Sequence, residues 1–319
     1  MKLHQLRDFI AVANTGSVRA AARHLKLSQP TLTRSIRQLE KELGLPLFER
    51  TAKGAGLNDY GRTFLARAEH VANEVERSKD ELKQMASGLG ATVVIAVSGT
   101  PSLQFLPPAL QTFKRRFTEG QVRIVEGGYT AVLPGLRTGA IDFAVVPEPN
   151  GPPRSEFAIE PIFRDRRVVA GRKGHPLRHV RSLAGLLESG WIVTVGAAPK
   201  ALEFDAPFLA HGLRVPRADF QCDSLIALLS LVANSDLLVF LPGQWLGSAI
   251  IEHVLEEIPV RERIESPTIC LVQRQGLPLT PAAEALAEAV RIEAQHRNRL
   301  LRPEKGAPGA RARRPGKAT

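Results

Sequence analysis

Apolar side chains recur every three or four residues in three stretches near the start of the chain, and each stretch predicts a helix. The second helix spans residues 18–26, where small alanines allow two helices to cross closely. The third spans residues 28–43, and its buried stripe is predicted at Leu32, Ile36, Leu39 and Leu43. Ser28 is a favourable N-cap, and Pro30 is tolerated because first-turn amides have no intrahelical partner. Residues 47–57 then predict a two-stranded β-wing with a glycine-containing tip.

The face of the third helix opposite its apolar stripe carries side chains suited to reading DNA. Arg donates two hydrogen bonds to guanine, Gln pairs with adenine, and Thr or Pro carbons contact the thymine methyl group. The candidate DNA-binding residues are Ser28, Gln29, Pro30, Thr31, Thr33, Arg34 and Arg37, with Arg50 and Lys53 of the wing meeting phosphates. An ordinary helix pair with a solvated charged face is the alternative. The cap, the close crossing and the polar outer face together favour DNA binding.

The run from Ala21 to Arg50 closely resembles the N-terminal winged helix-turn-helix of LysR-type transcriptional regulators. The residues that carry the resemblance are Ala21, Ala22, Leu25, Ser28, Gln29, Pro30, Thr31, Leu32, Thr33, Ile36, Leu39, Glu40, Leu43, Gly44, Leu47, Phe48 and Arg50. Chain length and element order extend the resemblance over residues 1–301. Thr31 and Thr33 stand where the family more often has Ala and Ser, and this departure concerns base preference rather than DNA binding.

A long helix is predicted to follow the wing, with Asn58 as its N-cap and its end near Ser87. Apolar residues along it are separated by alternating steps of four and three, which is the spacing of a heptad seam. The predicted dimerisation residues are Phe64, Ala68, Val71, Val75, Leu82 and Met85, with Ser78 as the weak point of the seam. The alternative is an amphipathic helix packed on its own domain.

Beyond residue 91, short apolar strands alternate with helical segments, which predicts an α/β fold with mainly parallel sheets. Strands are predicted at 92–98, 121–126, 141–146, 168–170, 191–195, 220–222, 237–241 and 268–273. Helices are predicted at 106–117, 131–137, 182–187, 202–211, 224–234 and 281–299.

The predicted fold class is a multidomain α+β chain. It consists of a winged helix-turn-helix over 1–58, a linker helix over 59–88 and an α/β domain over 89–301. The resemblance implies that this last domain is a two-lobed effector domain like periplasmic binding proteins. On that basis lobe one comprises 91–163 plus 267–301, and lobe two comprises 164–266.

Positive charge is concentrated at the two ends of the chain. Residues 1–58 hold ten Lys and Arg against four Asp and Glu, and residues 302–319 hold six against one. The region between is neutral, so the net charge of +11 suits a nucleic-acid partner for the N-terminal module. The Pro-, Gly- and Arg-rich tail over 302–319 is predicted to be disordered.

The sequence also predicts a cellular location. It has two cysteines without paired spacing, no signal-peptide core and no uninterrupted apolar span. These features predict a cytoplasmic protein without a membrane partner.

Loops at the carboxyl ends of predicted strands are candidate ligand contacts. The effector-binding residues proposed from them are Ser98, Gly99, Thr100, Pro101, Tyr129, Pro147, Gly196, Ala197, Ser224 and Pro242. Hydroxyls and free amides in the first loop suit a carboxylate or sulfonate. Ordinary turn chemistry is the alternative for each loop. Segments 127–129, 222–224 and 234–238 are similar to family members that sense aromatic acids, including regulators of aromatic sulfonate degradation, which implies an aromatic anion.

Enzyme motifs are missing from the sequence: we find no Gly-x-Ser-x-Gly, no phosphate-binding loop and no His-Glu-x-x-His. No enzymatic activity, cofactor or metal site is therefore predicted. Cys222 and Cys270 do not resemble the reactive pair of the family's peroxide sensors.

The predicted function is sequence-specific transcription regulation, in which a small-molecule effector controls binding to an inverted-repeat operator in double-stranded DNA. The resemblance implies a homotetramer built as a dimer of dimers and leaves RNA polymerase as a further candidate partner. Two alternatives stay open: an architectural DNA-binding protein without a ligand, and a solute-binding or catalytic α/β protein that its N-terminal module merely tethers.

Overall fold

The computed structural model describes residues 1–51, 54–87, 91–148, 155–194, 204–222 and 224–301. Its N-terminal module comprises three helices and a wing: α1 (Leu3–Thr15), α2 (Val18–Leu25), α3 (Gln29–Leu43), β1 (Phe48–Thr51) and β2 (Gly54–Leu57). Phe9 of α1 is fully buried at the centre of this module. Its ring lies 5.4 Å from that of Phe48 and 5.2 Å from that of Phe64, so one side chain joins α1 to the wing and to the following helix.

The third helix begins and ends as its sequence predicts. The Ser28 hydroxyl accepts a hydrogen bond from the backbone N–H of Thr31, and Gly44 ends the helix in the left-handed conformation at φ 71°. Leu32, Ile36 and Leu39 are buried as predicted. Leu43 is 36% exposed, so its predicted place in the buried stripe is wrong. It is the last residue of the helix, where the chain turns away from the core.

A carboxylate fixes the wing relative to α3. Glu40 Oε1 accepts hydrogen bonds from the backbone N–H groups of Leu47, at 2.7 Å, and Phe48, at 3.3 Å. Arg50 of β1 pairs in antiparallel register with Ala55 of β2. The wing therefore starts at a fixed distance from the exposed face of α3.

The long helix α4 (Asp59–Ser87) begins at the predicted cap, because Asn58 Oδ1 accepts a hydrogen bond from the Gly61 N–H at 2.8 Å. The predicted dimerisation seam needs a correction at its start. Ala68 is buried in the core of the N-terminal module and Phe64 packs against the same core, so these two side chains stabilise their own domain. Val71, Leu82 and Met85 are exposed, and Val75 is half-buried.

Lobe one is built on a five-stranded sheet with the order β4-β3-β5-β12-β6. Its elements are β3 (Thr92–Val97), α5 (Gly99–Gln104), α6 (Leu106–Arg116), β4 (Gln121–Glu126), α7 (Tyr129–Thr138), β5 (Phe143–Pro147), β6 (Phe157–Phe163), β12 (Ile269–Arg274) and α10 (Pro281–Leu301). Helices α6 and α10 cover one face, around Phe113 and Leu286, and α7 covers the other. β12 returns to this sheet late in the chain, as the sequence predicts.

Lobe two contains a three-stranded antiparallel sheet, β10-β7-β11, and a parallel pair, β8-β9. Its elements are β7 (Arg167–Arg172), a 3-10 helix (Leu183–Leu186), β8 (Ile192–Thr194), α8 (Ala206–Leu209), β9 (Phe220–Cys222), α9 (Leu225–Ala233), β10 (Val239–Pro242), a second 3-10 helix (Gly243–Gly247) and β11 (Leu255–Ile258). Trp191 is fully buried against the rings of Phe204, Phe208 and Phe240.

The sheets are mixed, which corrects the expectation of mainly parallel sheets. β3 pairs in parallel with β4 and β5, but β12 pairs antiparallel with β5 and β6 because it returns from lobe two. Strands β6 and β11 and helix α5 were not anticipated. Glu160 and Pro161 interrupt the apolar pattern of β6, and β11 is buried only at its two end residues. Residues 183–186 form a 3-10 helix, and the described part of predicted helix 202–211 is helical over Ala206–Leu209.

Candidate nucleic-acid interface and interlobe cleft

The outer face of α3 is a largely exposed polar surface. Its exposed side chains are Ser28, Gln29, Pro30, Thr31, Arg34 and Arg37, and Thr33 is half-buried. Neither Arg34 nor Arg37 forms an ion pair with any residue that the structure describes. Ser28 and Thr31 engage each other, with 2.7 Å between their hydroxyl oxygens, because they close the helix cap. The guanidinium groups of Arg34 and Arg37 and the side-chain amide of Gln29 are therefore available to a ligand on this face.

The side chains of the two wing cations, Arg50 and Lys53, lie outside the part of the chain that the structure describes. The backbone of Arg50 lies in β1, and its side chain falls outside the described atoms. Lys53 lies outside the described residues. The wing strands nevertheless follow α3 directly and are tied to it through Glu40.

A cavity of about 130 Å³ lies between the two lobes. Of the predicted effector-binding residues, it brings together Ser98, Gly99, Thr100, Pro147 and Pro242. Pro101 is buried within α5, Tyr129 begins α7 and Ser224 caps α9, and none of these three lines the cavity. Gly196 and Ala197 lie outside the described residues.

Apart from Pro242, the residues that line the lobe-two side of the cavity are not among those that the sequence predicts. The most prominent is Trp245, which lies so close to Gly99 that a Cβ atom at residue 99 would be 2.5 Å from its ring. Its indole Nε1–H donates a buried hydrogen bond to Thr100 Oγ1 at 3.0 Å. Nearby, Gln104 Nε2 donates to the Gln244 carbonyl at 2.9 Å. These contacts join α5 of lobe one to the second 3-10 helix of lobe two, although the residues that they connect are 140 and 145 positions apart in sequence.

Three polar residues of the cavity wall, Asp165, Arg167 and Ser266, lie near the two points where the chain passes between the lobes. Asp165 accepts hydrogen bonds from the backbone N–H groups of Arg166 and Gln244, and burial raises the pKa of its carboxyl group. Arg167 brings a positive charge to the cavity wall. The buried Ser98 hydroxyl has no hydrogen-bond partner among the described residues. A second cavity of about 300 Å³ shares Arg167, Ser266 and two prolines with the first.

The two cysteines occupy different environments. Cys270 is buried in β12, where burial raises the pKa of its thiol to about 11. Cys222 is half-buried, and its Sγ donates to the Ser224 carbonyl at 3.2 Å. Thiolates are the reactive form of cysteine. We therefore expect Cys270 to react slowly in the native protein.

We expect the native Cys222→Ser protein to show no fast-reacting thiol towards Ellman's reagent at pH 8. With a pKa near 11, only about one Cys270 side chain in a thousand is a thiolate at that pH. The Cys270→Ser protein is the matched control and should retain one reactive thiol. Rapid modification of Cys270 before unfolding would contradict this description of its environment.

The described residues contain no group of three or more His, Cys, Asp or Glu side chains able to hold a metal ion. Among the helices of the described ranges, none has the length and apolar character needed to cross a membrane.

Comparisons with known proteins cover both modules. The family model described as "Bacterial regulatory helix-turn-helix protein, lysR family" matches residues 3–62, and the one described as "LysR substrate binding domain" matches residues 86–295. HTH-type transcriptional regulator GalR of Pseudomonas putida is 27% identical over 288 residues, covering 90% of this chain and 72% of the relative. HTH-type transcriptional regulator TdcA of Escherichia coli is 26% identical over 291 residues, covering 90% and 91%.

Solved structures show the same fold. Crystal structures of CbnR, a LysR family transcriptional regulator, alone and in complex with its target DNA, superimpose with a TM-score of 0.67 at 24% identity. They cover 92% of this chain and 99% or 100% of CbnR. Because the two family models together match most of the chain, the protein belongs to the LysR family of DNA-binding transcriptional regulators and is not an enzyme.

Proposed function

We propose that the protein binds an inverted-repeat operator as a homo-oligomer, and that a small aromatic carboxylate or sulfonate in the interlobe cleft controls this binding. The observation that carries the DNA-binding part is the outer face of α3, where Arg34 and Arg37 are exposed and make no ion pair with described residues. Its DNA partner implies a cytoplasmic location.

In the proposed complex, the α3 helices of two subunits enter successive major grooves. Arg34, Arg37, Gln29 and Thr33 contact base edges, where a bidentate Arg contact with guanine specifies sequence. Arg50 and Lys53 of the wing contact phosphates, which fix the register without reading sequence.

The exposed apolar side chains of α4 support a homo-oligomer. Leu82 is 66% exposed and Met85 is 73% exposed, and Val71 extends the same helix surface. A helix gains stability by burying such a stripe against a second copy of itself. We propose that α4, within a linker segment over 59–88 between the domains 1–58 and 89–301, pairs two chains, and that two such dimers form a tetramer.

The side chains that line the cleft suit an anionic aromatic ligand. Arg167 provides the positive charge and the unpartnered Ser98 hydroxyl provides a hydrogen bond, while Phe240 and Trp245 provide apolar walls. The cavity of about 130 Å³ is close to the ~150 Å³ that accommodates benzene in an engineered apolar site. A single aromatic ring with one acidic group is therefore the ligand size that fits this conformation.

Isothermal titration calorimetry tests this ligand class. We expect single-ring aromatic carboxylates or sulfonates to release heat with the native protein and to lose it with Arg167→Gln, because the anion then lacks its counter-charge. Arg263→Gln, at the rim of the neighbouring cavity, is the matched control. Binding heat from sugars or amino acids, with none from aromatic anions, would contradict the proposed ligand class.

A further inference from the structure

Strands β5 and β12 are neighbours in the sheet of lobe one, and they lie side by side over their paired length. β5 and β12 pair antiparallel, with Ile269 opposite Pro147 at one end and Gln273 opposite Phe143 at the other. Both Pro147 and Ile269 line the interlobe cavity. The first end of the strand pair therefore forms part of the cavity wall.

The far end of β12 is anchored on α4. Arg274 is only 7% exposed, and its Nη2 lies 2.9 Å from Glu74 Oε2. Its Nη1 donates to His70 Nδ1 at 2.8 Å. Both partners belong to α4, so one guanidinium holds two successive turns of this helix against lobe one.

The far end of β5 is anchored on the same helix. Asp142 immediately precedes β5, and its Oδ2 accepts a hydrogen bond from the Val94 N–H at 2.8 Å. Its Oδ1 lies 3.6 Å from an Arg77 nitrogen, and the two side chains are 9% and 13% exposed. Adjacent strands thus hold α4 through two separate charged contacts, in which the strand-side groups Arg274 and Asp142 are buried and Glu74 of α4 is half-exposed.

The same helix also carries the N-terminal module. Phe64 and Ala68 pack into that module's core, and Arg7 of α1 forms an ion pair with Glu76 of α4. Since Glu76 lies between Glu74 and Arg77 in sequence, contacts to the N-terminal module and to lobe one alternate along the helix. A displacement of α4 relative to lobe one must therefore move the N-terminal module with it.

We propose that the β5–β12 strand pair transmits changes in the interlobe cavity to the DNA-binding module through α4, with Arg274 and Asp142 as its positioning residues. The inference rests on the proposed function only in taking this cavity as the effector site. Five residues of antiparallel strand span about 17 Å, so each strand reaches from the cavity to α4 without an intervening loop.

The physical basis is the stiffness of packed strands and the high free-energy cost of an unpaired buried charge. A close-packed sheet transmits displacement rather than absorbing it. At the far end, Arg274 and Asp142 lose their partners if α4 does not follow, which is strongly unfavourable in a site with little water. A shift at Pro147 and Ile269 is therefore relieved by movement of α4.

A covalent probe in the cavity tests this coupling without knowledge of the natural effector. Ser266 lines the cavity, so Ser266→Cys in a Cys222→Ser background places one reactive thiol there, and N-ethylmaleimide fills the space. Hydrogen exchange of the full-length protein, without DNA, is then compared before and after alkylation. We expect the exchange rates of α4 amides between residues 70 and 84 to change by about fivefold or more, the lower range of allosteric couplings.

The positioning role predicts that this difference disappears in Arg274→Met. Glu74→Gln, at a half-exposed partner, tests the same contact with less risk to folding. If Arg274 had a purely structural role, its replacement would shift the exchange rates of the alkylated and the unalkylated protein equally. The difference between the two forms would then remain. Ala184→Cys, exposed in lobe two, is the matched control for alkylation itself.

The inference would be overturned if the exchange rates of the α4 amides stayed the same after complete alkylation of Cys at residue 266. It would also be overturned if alkylation changed these rates equally in the native background and in both Arg274→Met and Glu74→Gln. Neither result bears on DNA recognition by α3, which operator binding measures separately.

Discussion

Replacement of both Arg34 and Arg37 by alanine is expected to abolish sequence-specific DNA binding while the protein stays folded. Loss of a bidentate base contact costs about 1–3 kcal/mol, which corresponds to about 5- to 150-fold in affinity for each arginine. Both side chains are exposed and make no ion pair with described residues, so their removal should leave the unfolding free energy unchanged. Titration of labelled operator DNA with each single variant and with the double variant measures the effect.

Arg115→Ala is the matched control, because Arg115 is also exposed on a helix but belongs to α6 of lobe one. Its affinity for the operator should equal that of the native protein. Residual binding by the double variant should be insensitive to DNA sequence and should weaken steeply with salt, as expected for phosphate contacts alone. A double variant that still prefers its operator by the native ratio would show that α3 does not read the bases.

Phe9→Ala is expected to unfold the N-terminal module selectively. The ring is fully buried and contacts both Phe48 and Phe64, and truncation of a buried Phe costs about 3–5 kcal/mol. A module of this size has little stability beyond that amount. Urea unfolding followed by circular dichroism should show an early transition in this variant, with loss of operator binding and with the lobes still folded.

Tyr60→Ala provides the control for aromatic truncation, since Tyr60 is 54% exposed on α4. Its unfolding free energy should stay within about 0.5 kcal/mol of the native value, as is usual for surface positions. If Phe9→Ala behaved like Tyr60→Ala, the packing described for this module would be incorrect.

Local signals predicted the N-terminal module well because they depend on neighbours in sequence. The caps at Ser28 and Asn58 form the predicted hydrogen bonds, and the helices α2 and α3 begin and end within a residue of their predicted bounds. The polar outer face of α3 is exposed for the same reason, since helical periodicity places it opposite the buried leucines.

The cleft depends on residues far apart in sequence, and so it was predicted only in part. The loop Ser98–Thr100 was identified from its hydroxyls and glycine, but its contact with Trp245 joins residues separated by 145 positions. No local pattern indicates such a pairing. The prediction that Ala68 lies in a dimerisation seam is wrong for a related reason. Periodicity shows that a helix face is buried, but it does not show which partner covers that face.

The most direct test of sequence-specific regulation is selection of bound sequences from a random pool of double-stranded DNA by the purified full-length protein at near-physiological salt. We predict recovery of an inverted repeat whose half-sites are spaced for two α3 helices in successive major grooves. Recovery of no motif, with affinity that collapses as the salt concentration rises, would leave only electrostatic attachment to phosphates and would contradict sequence-specific operator recognition.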